Sequence, residues 1–260
     1  MKTLHEFFSY NKRIAVAYSG GVDSSYLLYA AKAAGCDARA YFVKTQFQPK
    51  RELDGAARFA ETIGAALTVA ALDALNDGHI AENPPNRCYY CKTAIIAAIR
   101  KLAGTDGIGI LCDGTNADDD ETDRPGMMAL REQGVISPLR DSGLTKADIR
   151  RLSRQEGLFT HDKPSYSCLA TRVPTGTAIT EGLLGKIECA EDALSAFGFS
   201  DFRVRVRARV KQAGASGALR FDAVIQMPSA QWDAAAMRRA EILTALQPEF
   251  GDVMLDLRQR

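Results

Sequence analysis

The stretch Ser19-Gly20-Gly21-Val22-Asp23-Ser24-Ser25 constrains this chain more than any other. It follows an apolar run, Ile14 to Tyr18, that reads as a buried strand. It precedes Tyr26 to Ala34, which reads as a helix closed by Gly35. A strand, a Gly-Ser turn and a helix N-terminus together make an anion site. Two glycines let backbone N–H groups approach a phosphate, hydroxyls add donors, and the helix dipole favours negative charge. The turn is not of the Walker type, because GxxxxGK[ST] occurs nowhere in the chain, and no GxGxxG follows a strand.

The rest of the first half repeats the strand–helix alternation. Ala38 to Val43, Leu67 to Leu72 and Ile108 to Cys112 read as further strands. Arg51 to Ile63 and Tyr90 to Leu102 have helical periodicity between them. This order predicts an α/β fold with a parallel sheet and helices on both faces. Ligands of such sheets bind beyond the carboxyl ends of the strands. Asp113-Gly114-Thr115-Asn116 follows the fourth strand, so it is expected at the same edge as the Ser19 turn.

Thr145-Lys146-Ala147-Asp148 reads as a capping box opening a helix to about Gln155. Thr160 to Thr180 lacks periodicity and reads as a long loop, of the kind that is functional or disordered in compact domains. The texture then changes. A helix over Leu183 to Phe197 leads to the alternating run Phe202 to Val210, one face apolar and one face arginine. Leu219 to Met227 reads as a strand, Gln231 to Leu246 as a helix and Val253 to Leu257 as a last strand. These signals predict a nucleotide-binding domain over 1–179 and a smaller α+β unit over 180–260.

The composition is that of an ordinary globular protein, with 46% hydrophobic and 25% charged residues among 260. A net charge of +1 argues against a binder of nucleic acid that relies on a broad basic field. No apolar run approaches the roughly 18 residues that span a bilayer. Met1 to Lys12 has no apolar signal core, so a cytoplasmic protein without a membrane partner is expected. In that compartment the six cysteines read as thiols or metal ligands rather than disulfides.

Cys88 and Cys91 form a CxxC at the start of a helix, where thiol pKa values fall. Two ligands alone do not make a zinc site, and the pair also fits a redox dithiol. Cys168 lies in the long loop between basic residues, Lys163 and Arg172, with His161 nearby; this setting suits a nucleophile. Cys36, Cys112 and Cys189 are given no role.

The turn SGGVDSS resembles the pyrophosphate loop of the ATP pyrophosphatase superfamily, whose members split ATP between the α and β phosphates and adenylate a substrate oxygen. Further segments narrow the resemblance. These are Asn83 to Lys92 (NPPNRCYYCK), Asp113 to Leu130, Gly134 to Arg150 and Asp162 to Thr180 (DKPSYSCLATRVPTGTAIT). With them the chain resembles the LarE-type ATP-dependent sulfur transferases, which make the sulfur-bearing, nickel-binding nucleotide cofactor of lactate racemase.

The resemblance implies an adenine nucleotide alpha hydrolase-like fold and a small-molecule nucleotide substrate. ATP with Mg²⁺ would adenylate a carboxylate of a pyridinium biscarboxylate mononucleotide. Sulfur would displace AMP and leave a thiocarboxylate. Ser19, Gly20, Gly21, Asp23, Ser24 and Ser25 would meet the phosphates, Asp23 through magnesium. Gly114, Thr115, Asn116 and Arg124 would complete the nucleotide site. Arg172, Arg203 and Arg205 would clamp the substrate's phosphate. Two sulfur sources fit. In one, Cys168 gives up its own sulfur and becomes dehydroalanine. In the other, Cys88, Cys91 and Cys168 hold a [4Fe-4S] cluster whose open iron carries a sulfide from an outside donor; the three-cysteine pattern favours this. Glu191 and Asp222 are the metal candidates of the C-terminal unit, which departs from the family by lacking a histidine in Arg203 to Met227. A homo-oligomer is implied. The competing readings are a tRNA thiolase, a carboxylate-amidating enzyme with a dispensable Cys168, and a nucleotide or redox sensor without turnover.

Overall fold

The computed structural model describes residues 3–119, 125–209 and 220–258. The chain divides into two compact units, Met1–Ile80 with Pro84–Tyr166, and Ala81–Asn83 with Ser167–Arg260.

The first unit begins with α1 (Leu4–Tyr10), β1 (Arg13–Ala17), α2 (Val22–Ala33), β2 (Asp37–Lys44), α3 (Lys50–Thr62) and β3 (Leu67–Ala71). It continues through the short α4 (Gly78–Ala81), α5 (Arg87–Thr105), β4 (Leu111–Asp113), α6 (Pro125–Glu132), α7 (Pro138–Asp141) and α8 (Lys146–Gln155). Its sheet is all parallel, in the order β3-β2-β1-β4. Residues alternate between the two faces of a strand. Ile14 and Val16 therefore pack with Leu27 and Leu28 of α2 and Ile149 of α8. Ala15 faces the other way, toward Ile96 and Ile99 of α5 and Leu130 of α6. The expected parallel sheet, with helices on both faces, is present.

The strand order carries a functional consequence. The chain steps outward from β1 to β2 to β3, then returns to place β4 on the opposite side of β1. In sheets of this kind ligands bind at such a reversal, here beyond the carboxyl ends of β1 and β4. Ala17 pairs with Asp113, so both strands reach this edge at the same level.

Two elements differ from the sequence reading for local reasons. The fourth strand starts at Leu111 rather than Ile108. Gly107 adopts φ +70° and the Ile108 N–H closes back on the Ala103 carbonyl, so Ile108 is the apolar residue that seals the end of α5. The helix expected over Gln231 to Leu246 is broken at Arg238 into α10 (Trp232–Met237) and α11 (Arg239–Leu246). There the Arg238 guanidinium donates to the Phe197 carbonyl.

The second unit packs α9 (Glu181–Ala196), α10 and α11 with a three-stranded sheet, β5 (Arg203–Ala208), β6 (Phe221–Gln226) and β7 (Val253–Leu255), in the order β5-β6-β7. β5 and β6 are antiparallel, β6 and β7 parallel. Val204 and Val206 are buried while Arg207 is exposed, so β5 has the two faces its alternation predicted. Residues 167–179 group with this unit, whereas the periodicity change placed the boundary near Thr180. The reason is a set of polar ties: Arg172 bonds Glu191 of α9, and Arg205 of β5 bonds the Thr171 carbonyl. Among the described residues no helix is long and apolar enough to cross a membrane.

Candidate nucleotide site and cysteine turn

Between β1 and α2 the chain turns at Gly20, φ +71°. A Cβ there would lie 2.7 Å from the Cβ of Ala56, so α3 closes one side of the turn and only glycine fits. Gly21 caps α2, and the first N–H groups of that helix have no acceptor inside it. Ser24 and Ser25 are buried. The Ser24 hydroxyl stays within the turn, donating to the Gly21 carbonyl and accepting from the Ser19 N–H, both at 3.3 Å. The Ser25 hydroxyl lies 3.4 Å from that of Tyr18. Burial pushes the Tyr18 hydroxyl up to about 12, with a small opposing effect of Ser25. Ser19 is the exposed hydroxyl of the turn.

The second loop meets the first directly. A Cβ on Gly114 would sit 2.7 Å from the Ser24 backbone nitrogen, so the loop after β4 lies against the first turn of α2. Asp113 braces it: its carboxylate accepts from Thr115 Oγ1 at 2.5 Å and from Ser137 Oγ at 2.8 Å. Asn116 Oδ1 accepts from the Asp118 N–H at 2.9 Å, and the Asn116 N–H donates to Asp119 Oδ2 at 3.1 Å. Thr115 and Asn116 thus shape the loop from buried positions. Arg124 lies outside the described residues.

The start of α8 completes the group. Its capping box forms as the sequence predicted, with Thr145 accepting from Asp148 and Asp148 from Thr145. The Lys146 N–H donates to Asp118 Oδ2 at 2.7 Å, and the Lys146 amine closes on Asp23 Oδ2. Asp23 Oδ1 is buried with no partner. Burial raises the Asp23 carboxyl above its ordinary value, Asp119 adds to that, and Lys146 opposes it. On the α3 side, the Lys163 amine donates to the Gly20 carbonyl at 3.0 Å and to Glu52 Oε2 at 2.7 Å. Sequence reasoning passed over Lys146 and Glu52, placed Asp113 only with the loop at the ligand edge, and read Lys163 only as a basic neighbour of Cys168. Lys146 stood inside GVISPLRDSGLTKADIR, where only its capping neighbours drew a reading.

Cys88 lies in the first turn of α5 and Cys91 at the start of the second, Cys88 exposed and Cys91 half-buried. Their spacing sets them on one face of that helix. The buried Arg87 guanidinium reaches 3.6 Å from the Cys88 sulfur. Beside them Tyr90 stacks on His79, ring centroids 4.8 Å apart, and the Tyr89 hydroxyl donates to Glu132 at 2.6 Å. At Gly126 a Cβ would lie 3.3 Å from Lys92 Cγ and 3.9 Å from Cys88 Cβ, so the start of α6 flanks the pair.

In the second unit Cys168 precedes a short 3-10 turn, Leu169–Arg172, and its carbonyl accepts from Thr171 N and Oγ1. Arg172 is fully buried: Nε and Nη2 meet the Glu191 carboxylate at 2.8 and 3.3 Å, and Nη1 meets the carbonyl and hydroxyl of Ser167 at 2.9 and 2.8 Å. Glu191 Oε1 also accepts from the Val204 N–H at 3.1 Å. Arg205 ties β5 to this turn, through Gln226 Oε1 at 2.6 Å and the Thr171 carbonyl at 2.8 Å. Arg203 is half-buried on the same strand face. Asp222 accepts from Arg209 Nε at 2.6 Å and the Asp252 N–H at 2.9 Å. Burial works against its ionisation, but the Asp252 N–H and Arg209 outweigh that and hold its carboxyl below the ordinary value. Among the described residues no three His, Cys, Asp or Glu side chains gather as a metal site.

No family model matches the chain. It is 33% identical over 196 residues to the pyridinium-3,5-bisthiocarboxylic acid mononucleotide synthase of Lactiplantibacillus plantarum, covering 75% of this chain and 71% of that one. An uncharacterised protein of Synechocystis is 34% identical over 206 residues, 79% of this chain and 77% of its own. An uncharacterised protein of Methanocaldococcus jannaschii is 33% identical over 195 residues, 75% of this chain and 74% of its own.

Proposed function

This chain belongs to the family of LarE-type sulfur transferases, and from that premise we propose that it converts a carboxylate of a pyridinium biscarboxylate mononucleotide to a thiocarboxylate, using ATP. The observation that carries the ATP half is the contact of the Gly114 loop with the first turn of α2. It joins an exposed serine, a glycine turn and the N–H groups of a helix start at one sheet edge, the chemistry that a departing pyrophosphate requires. A carboxylate oxygen is a poor leaving group until adenylated; the adenylate then leaves as AMP. Asp23 fits a Mg²⁺ ion, since Oδ1 is buried and lacks a partner; when bound, the ion would neutralise charge on the phosphates. The residues of this chain orient the nucleotide: the turn around Gly20 receives phosphate oxygens, while Asp113 and Thr115 keep the second loop in place.

For sulfur, we propose that Cys88, Cys91 and Cys168 serve as ligands of a [4Fe-4S] cluster, although among the described residues they do not gather as a metal site. None of the three is in a disulfide, and Cys88 and Cys91 lie on one face of a helix start, which fits two corners of a cluster. A cluster held by three thiolates leaves one iron open for a sulfide. The alternative donor is Cys168 itself. On this reading Arg172 and Glu191 set the Cys168 turn, and Arg203 and Arg205 face the substrate's phosphate.

The test is anaerobic purification with iron and acid-labile sulfide analysis, wild type against Cys88→Ala, followed by turnover with ATP and the mononucleotide. The reading expects iron in the wild type, its loss in the variant, and AMP and thiocarboxylate as products. Protein without iron after reconstitution, with Cys168 lighter by one sulfur after a single turnover, would establish the sacrificial route. No AMP from the wild type with this substrate would overturn the assignment.

A further inference from the structure

Lys163 is fastened at both ends. Its amine donates to the Gly20 carbonyl at 3.0 Å and to Glu52 Oε2 at 2.7 Å, and Glu52 stands in the first turn of α3. Its backbone is held from α8: Arg150 Nη2 donates to the Lys163 carbonyl and Arg150 Nη1 to the His161 carbonyl, both at 2.8 Å. The flanking aromatic residues lie on α3 as well. Phe159 meets Phe59 edge-on, ring centroids 5.6 Å apart, and the Arg51 guanidinium covers the Tyr166 ring at 5.1 Å. A lysine tied in this way does not swing out to a ligand. Its charge is balanced by Glu52, so what remains is its grip on one backbone oxygen.

That oxygen belongs to the peptide between Gly20 and Gly21. In a trans peptide the carbonyl and the following N–H point to opposite sides, and no cis bond occurs among the described residues. Holding the Gly20 oxygen therefore turns the Gly21 N–H away from Lys163. A glycine on each side leaves this peptide free to rotate as a unit. A flip would put a carbonyl oxygen where an anion needs a donor. The Gly21 N–H itself meets the Ser19 hydroxyl at 3.5 Å, too long for a strong bond, so a better acceptor can displace it. We infer that Lys163 is a positioning residue of the nucleotide turn: by gripping the Gly20 carbonyl it keeps the Gly21 N–H aimed at a phosphate oxygen of the ligand. Lys163 does not touch that ligand. The inference rests on the ATP reading above and names which donor of the turn the chain has taken care to orient.

The experiment is amide NMR of the intact, nitrogen-15-labelled protein, titrated with magnesium pyrophosphate and, separately, with ATP. In the wild type the Gly21 amide proton should move downfield on saturation, as a new bond to phosphate requires. If it stays in place while the Ser24 and Ser25 amides move, the inference is overturned without any variant. In Lys163→Met the Gly21 response should shrink or split into two signals, and pyrophosphate affinity should fall about tenfold, the worth of one bond to a charged group. The double change Lys163→Met with Glu52→Met should behave alike, which separates the effect from a stranded Glu52. Lys163→Arg, which still offers donors to both partners, should restore the response. A wild-type Gly21 response in Lys163→Met would overturn the inference and leave the ATP reading standing. A loss of response shared by amides across the whole first unit would overturn it too, showing Lys163 to be only a tie between elements. A wild type that binds neither probe would overturn both.

Discussion

Lys146 in the first unit and Arg172 in the second both reach for a carboxylate, and their surroundings make the two pairs different objects. The side chains of Lys146 and Asp23 remain 30% and 20% exposed, and one Asp23 oxygen has no partner. Those of Arg172 and Glu191 are wholly buried, and Ser167 and Val204 add bonds to the same pair. The Lys146 end of its pair still meets water, so that pair is held less firmly than a wholly buried one. A buried pair leaves an uncompensated charge when either partner is removed. Charge in a sequence therefore does not tell a loosely held cation from a structural one. Burial and partner count do.

Breaking the buried pair is the largest effect expected. Glu191→Ala should destabilise the second unit by about 3–5 kcal/mol, read as the shift of its denaturant transition. The double change Arg172→Met with Glu191→Met should recover most of that loss, because no charge is left stranded. Lys146→Met should cost clearly less than Glu191→Ala in the same measurement, because its pair is partly open to water. If Lys146→Met cost as much as Glu191→Ala, the contrast between the two pairs would be gone.

The same contrast explains what could be read from the sequence. The parallel sheet was legible because its elements have their own patterns: Ile14 to Tyr18 is apolar throughout, and Gly35 stands just past the Ala34 cap of α2. The place of the site was legible because topology alone sends the ends of β1 and β4 to one edge. α1 was not read, although Thr3 and Glu6 form a capping box, because its seven residues are too few to show a period. α6 has its proline at the first position, a start signal that went unused beside an acidic run. Lys146 was not read as a site residue, and Lys163 only as a neighbour of Cys168, for another reason. Their bonds to Asp23 and Gly20 span 123 and 143 positions, and no local pattern encodes such a reach. Arg172 was expected to face a phosphate because guanidinium suits that group. Its match with Glu191 depends on α9 packing beside the turn, which periodicity does not report.

The backbone contact between the two loops is the next point at which the first unit can be challenged. Gly114→Ala places a methyl group 2.7 Å from the Ser24 nitrogen and 2.9 Å from its Cα, and neither is the end of a flexible side chain. Overpacking of this kind costs about 1–3 kcal/mol. Pyrophosphate release should fall further than stability alone explains, because the loops must part. Gly109→Ala, whose Cβ would meet nothing within 4 Å, is the matched control. Equal activity in the two variants would remove the reason for joining the loops in one site.

Acid offers a milder probe of the second unit. The folded Asp222 carboxyl lies below its ordinary value, so its contribution to stability is present above the unfolded carboxyl pKa, about 3.9, and is lost as pH falls through the folded value. Unfolding midpoints followed from pH 6 down to about pH 2 should decline in the wild type, and less steeply in Asp222→Asn. Parallel curves would place the acid sensitivity elsewhere, and Arg209 would then gain nothing from its carboxylate.

The smallest effect expected is at the start of α8, at the base of the open pair. Thr145 caps α8 by accepting from the Asp148 N–H at 3.1 Å, and its hydroxyl donates to Asp148 Oδ2 at 2.6 Å. Thr145→Ala should lower stability by about 1 kcal/mol, the usual value of a cap. Lys146 keeps a second anchor, its N–H on Asp118 Oδ2, so its side chain should still start from the same place. Combining Thr145→Ala with Asp118→Ala removes both anchors and frays the helix start. If the open pair needs a fixed base, the double variant should lose stability beyond the sum of the single losses. Strictly additive losses would mean that the pair needs no anchored base, and that Lys146 resembles any other exposed cation of the surface.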